Sequence, residues 1–191
     1  RSLSSPDMHS ICYEKFYAAF NNPYDYGVVL DADSIANKGI DLLMTEATEV
    51  TLYPFASQHP KDPDNQNALM KLFKVSRKSM PYVHSTSLFS SDAKPFFEDC
   101  YWESINLQAI GHSPPNQDET VLNVKLWALE ASRYAECYDP YFGFIERYFG
   151  DLQAPQHSEL YSRERSFVFH GCKSRERASR IFERLREFHR N

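Results

Sequence analysis

The pattern of apolar residues changes within the first part of the chain. After a helix start at Pro6-Asp7, apolar residues recur at helical spacing up to the turn at Asn21. The run Tyr26-Gly27-Val28-Val29-Leu30 is continuously apolar, which is typical of a strand buried on both faces. The sequence therefore predicts a helix over 8–20 and a buried strand that stops at Asp31.

Helical spacing and short apolar runs alternate along the rest of the chain, with a loop over 59–65 and a clear break over 111–116. The pattern predicts helices over 38–47, 67–75, 93–107, 118–134 and 174–189, and strands over 50–55, 82–89 and 166–169. Because strands and helices alternate, we expect an α/β fold with a mostly parallel central sheet and helices on both faces. We expect a single domain over residues 1–191.

The composition is that of an ordinary globular domain. The 191 residues are 42% hydrophobic and 25% charged, which allows a core without structural metals. The formal net charge of −5 argues against a nucleic-acid partner, which would require a basic stripe. No apolar run has the length of a membrane span, no signal-peptide pattern opens the chain, and the four cysteines form no C-x-x-C pair. We therefore expect a cytoplasmic protein.

Two aspartates follow the predicted buried strand directly. Asp31 and Asp33 are two positions apart at the carboxyl end of that strand, where ligands bind in open α/β sheets. Carboxylates cannot hold a diphosphate directly, so a divalent cation that prefers oxygen ligands, Mn²⁺ or Mg²⁺, would join them. The same spacing recurs in Asp62-Pro63-Asp64, but no strand precedes that copy and we interpret it as a solvated turn. For the first copy, a metal site and an ordinary polar loop both stay open.

Two further segments place polar residues beside helix starts. In His170-Gly171-Cys172-Lys173 the imidazole is a candidate metal ligand, the glycine lets the backbone approach a ligand, and the lysine lies beside a helix N-terminus, which attracts anions. Asp118 and Glu119 open the helix over 118–134, where acids also favour the helix dipole. Both segments therefore have a structural interpretation beside the functional one.

The order of these three segments resembles that of glycosyltransferases with the Rossmann-like GT-A fold. Within that group the chain looks most like glycogenin, the lipopolysaccharide hexosyltransferases and related virus-encoded enzymes. The resemblance is carried by Asp31-Ala32-Asp33 after a strand, by an acid-rich helix start followed by Leu122-Asn123, and by a late His-Gly-x-Lys. The resemblance covers residues 26–173. It implies an enzyme that moves a hexose from a nucleotide sugar, such as a UDP-sugar, to a carbohydrate or glycoprotein acceptor.

The resemblance also implies roles for individual residues. The metal, Mn²⁺ or Mg²⁺, would be bound by Asp31, Asp33 and His170. The donor would be contacted by Lys173, Gly171 and Ser85, with the lysine on the diphosphate. The catalytic residues on the acceptor side would be Asp118 and Glu119, and Asp118 would be the general base if the reaction inverts the anomeric centre.

The chain departs from this family at three places. His170-Gly171-Cys172-Lys173 is shorter than the usual His-x-x-Gly-x-x-Lys, and the strand from Tyr82 to Thr86 stands where many members have Asn-Ser-Gly. Few residues precede Asp31, where members have further strand–helix units that form the nucleoside pocket. We expect the fold to lack part of this N-terminal half, either because the chain is a fragment of a longer protein or because additional domains or subunits supply it.

Two alternative functions have some support in the sequence. The run from Val28 to Asp33 also looks like the first motif of haloacid-dehalogenase-like phosphatases, in which the first aspartate is a nucleophile, but no later strand ends in the paired acids which that family requires. The other alternative is a degenerate, transferase-like scaffold subunit without activity. The short N-terminal part favours it, whereas the intact metal and phosphate residues oppose it. The sequence identifies neither the donor sugar nor the acceptor.

Overall fold

The computed structural model describes residues 8–36, 52–56, 64–76, 82–112, 117–129, 144–145, 168–169, 174–188 and 190. The chain forms two compact units. The first unit comprises residues 1–29 and 47–136, and the second comprises residues 30–46 and 137–191. The single domain over residues 1–191 stays a prediction.

The described chain contains both helices and strands, so the predicted mixture of the two is confirmed. In chain order the elements are α1 (Met8–Phe20), β1 (Tyr26–Val29), β2 (Ile35–Ala36), β3 (Leu52–Ala56), α2 (Asp64–Phe73), β4 (Val83–Ser90), α3 (Lys94–Ala109), α4 (Gln117–Ala128), β5 (Phe144–Ile145), β6 (Val168–Phe169) and α5 (Arg175–Phe188). A short 3-10 helix, Ser91–Ala93, joins β4 to α3. The helix predicted over 38–47 lies outside the described residues.

The sheet of the first unit is antiparallel in its described part. Its strand order is β1-β4-β3, with Val29 opposite Ser87 on one side of β4 and Leu52 opposite Phe89 on the other. The mostly parallel central sheet that we expected is therefore not found among these strands. The expectation rested on the alternation of predicted strands and helices, and such an alternation favours a parallel sheet but does not determine the direction of each pair of neighbouring strands.

The predicted strand over 26–30 is confirmed, but its predicted burial on both faces is wrong. β1 is an edge strand of the described sheet, and its residues range from exposed at Tyr26 to buried at Val29. The strand buried along almost its whole length is β4. Gly27 is required in β1 because a β-carbon at this position would overlap the ring of Phe89 on the neighbouring strand.

Aromatic side chains form much of the core of the first unit. Phe16 of α1 and Phe89 of β4 both pack against Phe97 of α3, with ring centroids 6.2 and 5.0 Å from the ring of Phe97. Leu122 and Trp127 bring α4 into the same core. Burying one such side chain stabilises a fold by about 1.5–3 kcal/mol, so these contacts hold the three helices on the sheet.

Two predicted boundaries differ from the structure. Asp64, which we interpreted as part of a solvated turn, is the first residue of α2, where an acid is favoured by the positive end of the helix dipole. The helix predicted over 118–134 begins at Gln117 and ends at Ala128 in the described part of the chain. Residues 130–134 lie outside that part.

The second unit contains a small mixed sheet in the order β2-β6-β5. β2 is antiparallel to β6, with Ile35 opposite Phe169, and β5 is parallel to β6. α5 buries Ile181 fully and exposes an ion pair between Arg180 and Glu176 at 3.3 Å, as expected of a helix with one solvated face. None of the helices that the structure describes is both long and apolar enough to cross a membrane.

Tyr13 of α1 places a hydroxyl group in the core of the first unit. The residue is 1% exposed, and its hydroxyl has no hydrogen-bond partner among the described residues. Burial, and then the negative charge of Asp118, raise the pKa of Tyr13 to about 12. An unfolded chain would titrate this group near its ordinary value of about 10.

We expect Tyr13→Phe to be as stable as the wild type, or about 1 kcal/mol more stable, near neutral pH, because the substitution removes a buried, unpaired polar group. Above about pH 10 the unfolded wild type loses this proton and the folded protein keeps it, so the free energy of unfolding falls as pH rises. Tyr13→Phe should show a smaller decrease, because the contribution of Tyr13 is removed while that of Tyr82, whose pKa is also raised, remains. Urea unfolding at neutral and alkaline pH measures both effects, and Tyr17→Phe, at an exposed position on the same helix, is the control. A clear destabilisation at neutral pH would contradict the prediction.

Candidate functional site

Polar side chains occupy the middle strand of the first unit. The residues from His84 to Ser87 lie on β4 and are each at most 2% exposed. The first turn of α4 adds Asp118 and Glu119, which are both 8% exposed. Because buried polar groups are stable only when they are paired, the partners of these side chains define the candidate site.

Lys15 of α1 joins the strand to the helix. Its Nζ lies 2.7 Å from Oδ2 of Asp118 and donates a hydrogen bond to Oγ of Ser85 at 3.0 Å. The side chains of Lys15 and Asp118 are 17% and 11% exposed, so water screens their attraction only weakly. Three elements, α1, β4 and α4, thus meet at one ammonium group.

The carboxylate of Glu119 faces two hydrogen-bonding groups, one from β4 and one from the residue just before β4. The hydroxyl of Tyr82 donates to Oε2 at 3.3 Å, and Nε2 of His84 lies 3.1 Å from Oε1. Burial, followed by the charge of Glu119, raises the pKa of Tyr82 well above its ordinary value. The phenol therefore stays protonated in neutral solution and remains a hydrogen-bond donor.

The side chain of Asn123 fastens α4 to the beginning of β4. Its Oδ1 accepts the backbone N–H of Val83 and its Nδ2 donates to the carbonyl oxygen of the same residue, both at 2.8 Å. Nδ2 also donates to the carbonyl oxygen of Glu119 at 2.8 Å. Val83 lies opposite Ala56 of β3, but the described pairing of β4 with β1 stops at Ser87, so on that side of Val83 the amide of Asn123 takes the place of a neighbouring strand.

Asp31 and Asp33 lie in a tight turn in the second unit, directly after the end of β1. The backbone N–H of Ser34 donates to the carbonyl oxygen of Asp31 at 3.0 Å, which closes the turn. Both aspartates are partly exposed, and the turn leads into β2. The hydroxyl of Ser34 is buried and has no hydrogen-bond partner in the part of the chain that the structure describes.

The predicted donor and metal residues His170, Gly171 and Lys173 lie outside the described residues. The residue before His170 in the sequence, Phe169, is paired with Ile35 of β2. Within the described ranges, no group of three or more His, Cys, Asp or Glu side chains is placed to hold a metal ion. The metal site therefore stays a prediction.

The structure brings together Ser85, Asp118 and Glu119, three of the residues predicted from the sequence, although their roles stay predictions. Lys15 and His84, which contact them, were not predicted as site residues. A single lysine in a helix with many aromatic residues gives no sequence signal of a functional role. His84 lies in a polar run that is fully buried, and the sequence shows the polarity of this run but not its burial.

No family model matches the chain, and no curated protein matches it. Solved structures that are similar to it include the following two. One is a glycosyltransferase involved in the glycosylation of the major capsid of PBCV-1, with a TM-score of 0.56 and 15% identity over 96% of this chain and 80% of that chain. The other is mouse xyloside xylosyltransferase 1 in its apo form, with a TM-score of 0.51 and 12% identity over 84% of this chain and 63% of that chain. At these identities the likeness shows a shared fold.

We expect Asn123→Leu to destabilise the first unit by about 2–4 kcal/mol, because it leaves the backbone N–H and C=O of Val83 buried without partners. Asn106→Leu, at an exposed position of α3, is the matched control and should change stability by less than about 0.5 kcal/mol. Chemical denaturation of both variants measures the difference. Equal stabilities would show that the Asn123 amide does not hold α4 on the strand.

Proposed function

We propose that the chain is a GT-A-type glycosyltransferase that moves a hexose from a nucleotide sugar, such as a UDP-sugar, to a carbohydrate or glycoprotein acceptor. In this proposal Asp31 and Asp33 would hold a divalent cation, Mn²⁺ or Mg²⁺, and the cation would bind the donor diphosphate. The observation that carries the proposal is the turn that presents these two carboxylates directly after a strand. The fold shared with two glycosyltransferases supports it.

The side chains at this turn suit a hard divalent cation. Asp31 and Asp33 supply carboxylate oxygens, and the Ser34 hydroxyl, which is unpaired among the described residues, is another oxygen beside them in the sequence. His170 would add an imidazole, and Lys173 with Gly171 would contact the diphosphate. When bound, the cation neutralises the negative charge that grows on the leaving diphosphate.

Asp118 and Glu119 are the residues that we assign to the acceptor. The ammonium group of Lys15, at 2.7 Å, stabilises the ionised form of Asp118. An ionised carboxylate accepts the hydrogen bond of an acceptor hydroxyl and can then take its proton. Asp118 is therefore our choice for the general base if the reaction inverts.

The first prediction from this proposal concerns the metal. Asp33→Asn keeps the size and hydrogen bonding of the side chain but removes one charge, so we expect the apparent Mn²⁺ affinity to fall at least about tenfold while the fold persists. His170→Ala should weaken affinity less, because both carboxylates remain. Donor hydrolysis or transfer measured against Mn²⁺ concentration tests this, with Asp62→Asn from the second Asp-x-Asp as the control.

Full wild-type activity in excess chelator, or normal Mn²⁺ affinity in Asp33→Asn, would contradict the proposed metal site. Calorimetry of the wild type with Mn²⁺ and uridine diphosphate separates the alternatives. Mutually dependent binding supports the transferase. Binding of Mg²⁺ with phosphate mimics instead supports the phosphatase, and no binding supports the scaffold.

The second prediction concerns Asp118. We expect Asp118→Asn to lower kcat about a hundredfold or more, with little change in donor binding, because the amide cannot accept a proton. Asp99→Asn is the matched control, since Asp99 also lies within 2.8 Å of a lysine, Lys125, but is 60% exposed. Unchanged turnover in Asp118→Asn would remove Asp118 from the mechanism.

A further inference from the structure

The carboxylate of Glu119 lies at the outer edge of a buried hydrogen-bond network. Its side chain is 11% exposed, whereas the side chain of His84 is 1% exposed and Tyr82 is 5% exposed. A ligand that approaches this network from solvent therefore meets Glu119 before it meets the imidazole or the phenol. His84 is too deeply buried to contact a substrate, so any effect it has on a reaction must pass through its neighbours.

The surroundings of His84 determine which ring nitrogen carries the hydrogen. The backbone N–H of Thr86 donates to Nδ1 at 3.0 Å, and the Thr86 hydroxyl lies 3.1 Å from the same atom. A backbone N–H can only donate, so Nδ1 is an acceptor and the neutral ring carries its hydrogen on Nε2. Nε2 then donates to Oε1 of Glu119, 3.1 Å away. The contact is a hydrogen bond from a neutral ring to a carboxylate.

We propose that His84 is a positioning residue that acts through Glu119. This inference rests on the proposed function, in which Glu119 serves the acceptor. Tyr82 holds one carboxylate oxygen and His84 holds the other, so the two donors fix the direction of the carboxylate and favour its ionised form. A displacement of about 1 Å in a reacting group can cost a hundredfold in rate, which is the effect that this support prevents.

Two variants separate the functions of the two ring nitrogens. His84→Asn keeps an acceptor near the position of Nδ1 for Thr86 but loses the donor to Glu119, whereas His84→Gln keeps the donor and loses the acceptor. We expect His84→Asn to lower kcat about tenfold to a hundredfold, with the donor KM changed by less than about threefold. His84→Gln should recover most of the loss. A kcat for His84→Gln no higher than for His84→Asn would overturn the inference.

The same substitution in a Glu119→Gln background tests whether the effect passes through Glu119. There His84→Asn should change kcat by less than about twofold, because the group through which it acts is already altered. Equal losses in both backgrounds would overturn the inference. Ser104→Ala is the control, since Ser104 is a buried polar residue of α3 outside the candidate site, where its hydroxyl donates to the carbonyl oxygen of Cys100 at 2.7 Å, and it should leave kcat within about twofold of the wild type.

The tautomer of His84 can be measured without any activity. ¹⁵N NMR of the folded wild type at neutral pH should show a neutral ring with its hydrogen on Nε2, and a hydrogen on Nδ1 would overturn the inference. A wild type that neither transfers nor hydrolyses any sugar nucleotide would end the proposed function and this inference together. An active wild type with equal losses in the two backgrounds would end the inference alone.

Discussion

The pair of hydrogen bonds between the Asn123 amide and the backbone of Val83 determines how the candidate site is assembled. Apolar contacts between a helix and a strand tolerate small shifts, because many packings of similar volume have similar energies. Two directional bonds to one residue do not tolerate such shifts. They fix α4 along β4, and Glu119, one turn before Asn123, is fixed with it.

Two acids that are neighbours in the sequence obtain different surroundings from this arrangement. Asp118 faces a full positive charge on Lys15, whereas Glu119 faces the neutral donors Tyr82 and His84. A charged partner such as an ammonium group attracts a carboxylate strongly, and the attraction is lost when the carboxylate is protonated. Neutral donors also favour the ionised carboxylate, and their hydrogen bonds fix its direction. Adjacent positions of one helix can therefore perform different chemistry.

The elements were largely predictable from the sequence, because α1, β1 and β4 follow from apolar spacing and from the turns around them. The direction of the strands was not predictable, since the compositions of β1 and β4 are compatible with either a parallel or an antiparallel sheet. The position of Asp31 and Asp33 after β1 was predictable because it depends only on where a local element ends. The contact of Lys15 with Asp118 joins residues far apart in the chain, and no local pattern encodes such a pairing.

The pairing of β2 with β6 also affects how the protein can fold during its synthesis. Ile35 and its partner Phe169 are about 130 residues apart, and contacts of such long range form slowly because a long loop must close first. On the ribosome, the turn with the two aspartates emerges before residues 168–169 and stays without this strand partner until those residues have been made. The strand pairing of the second unit therefore forms only after most of this sequence has been synthesised.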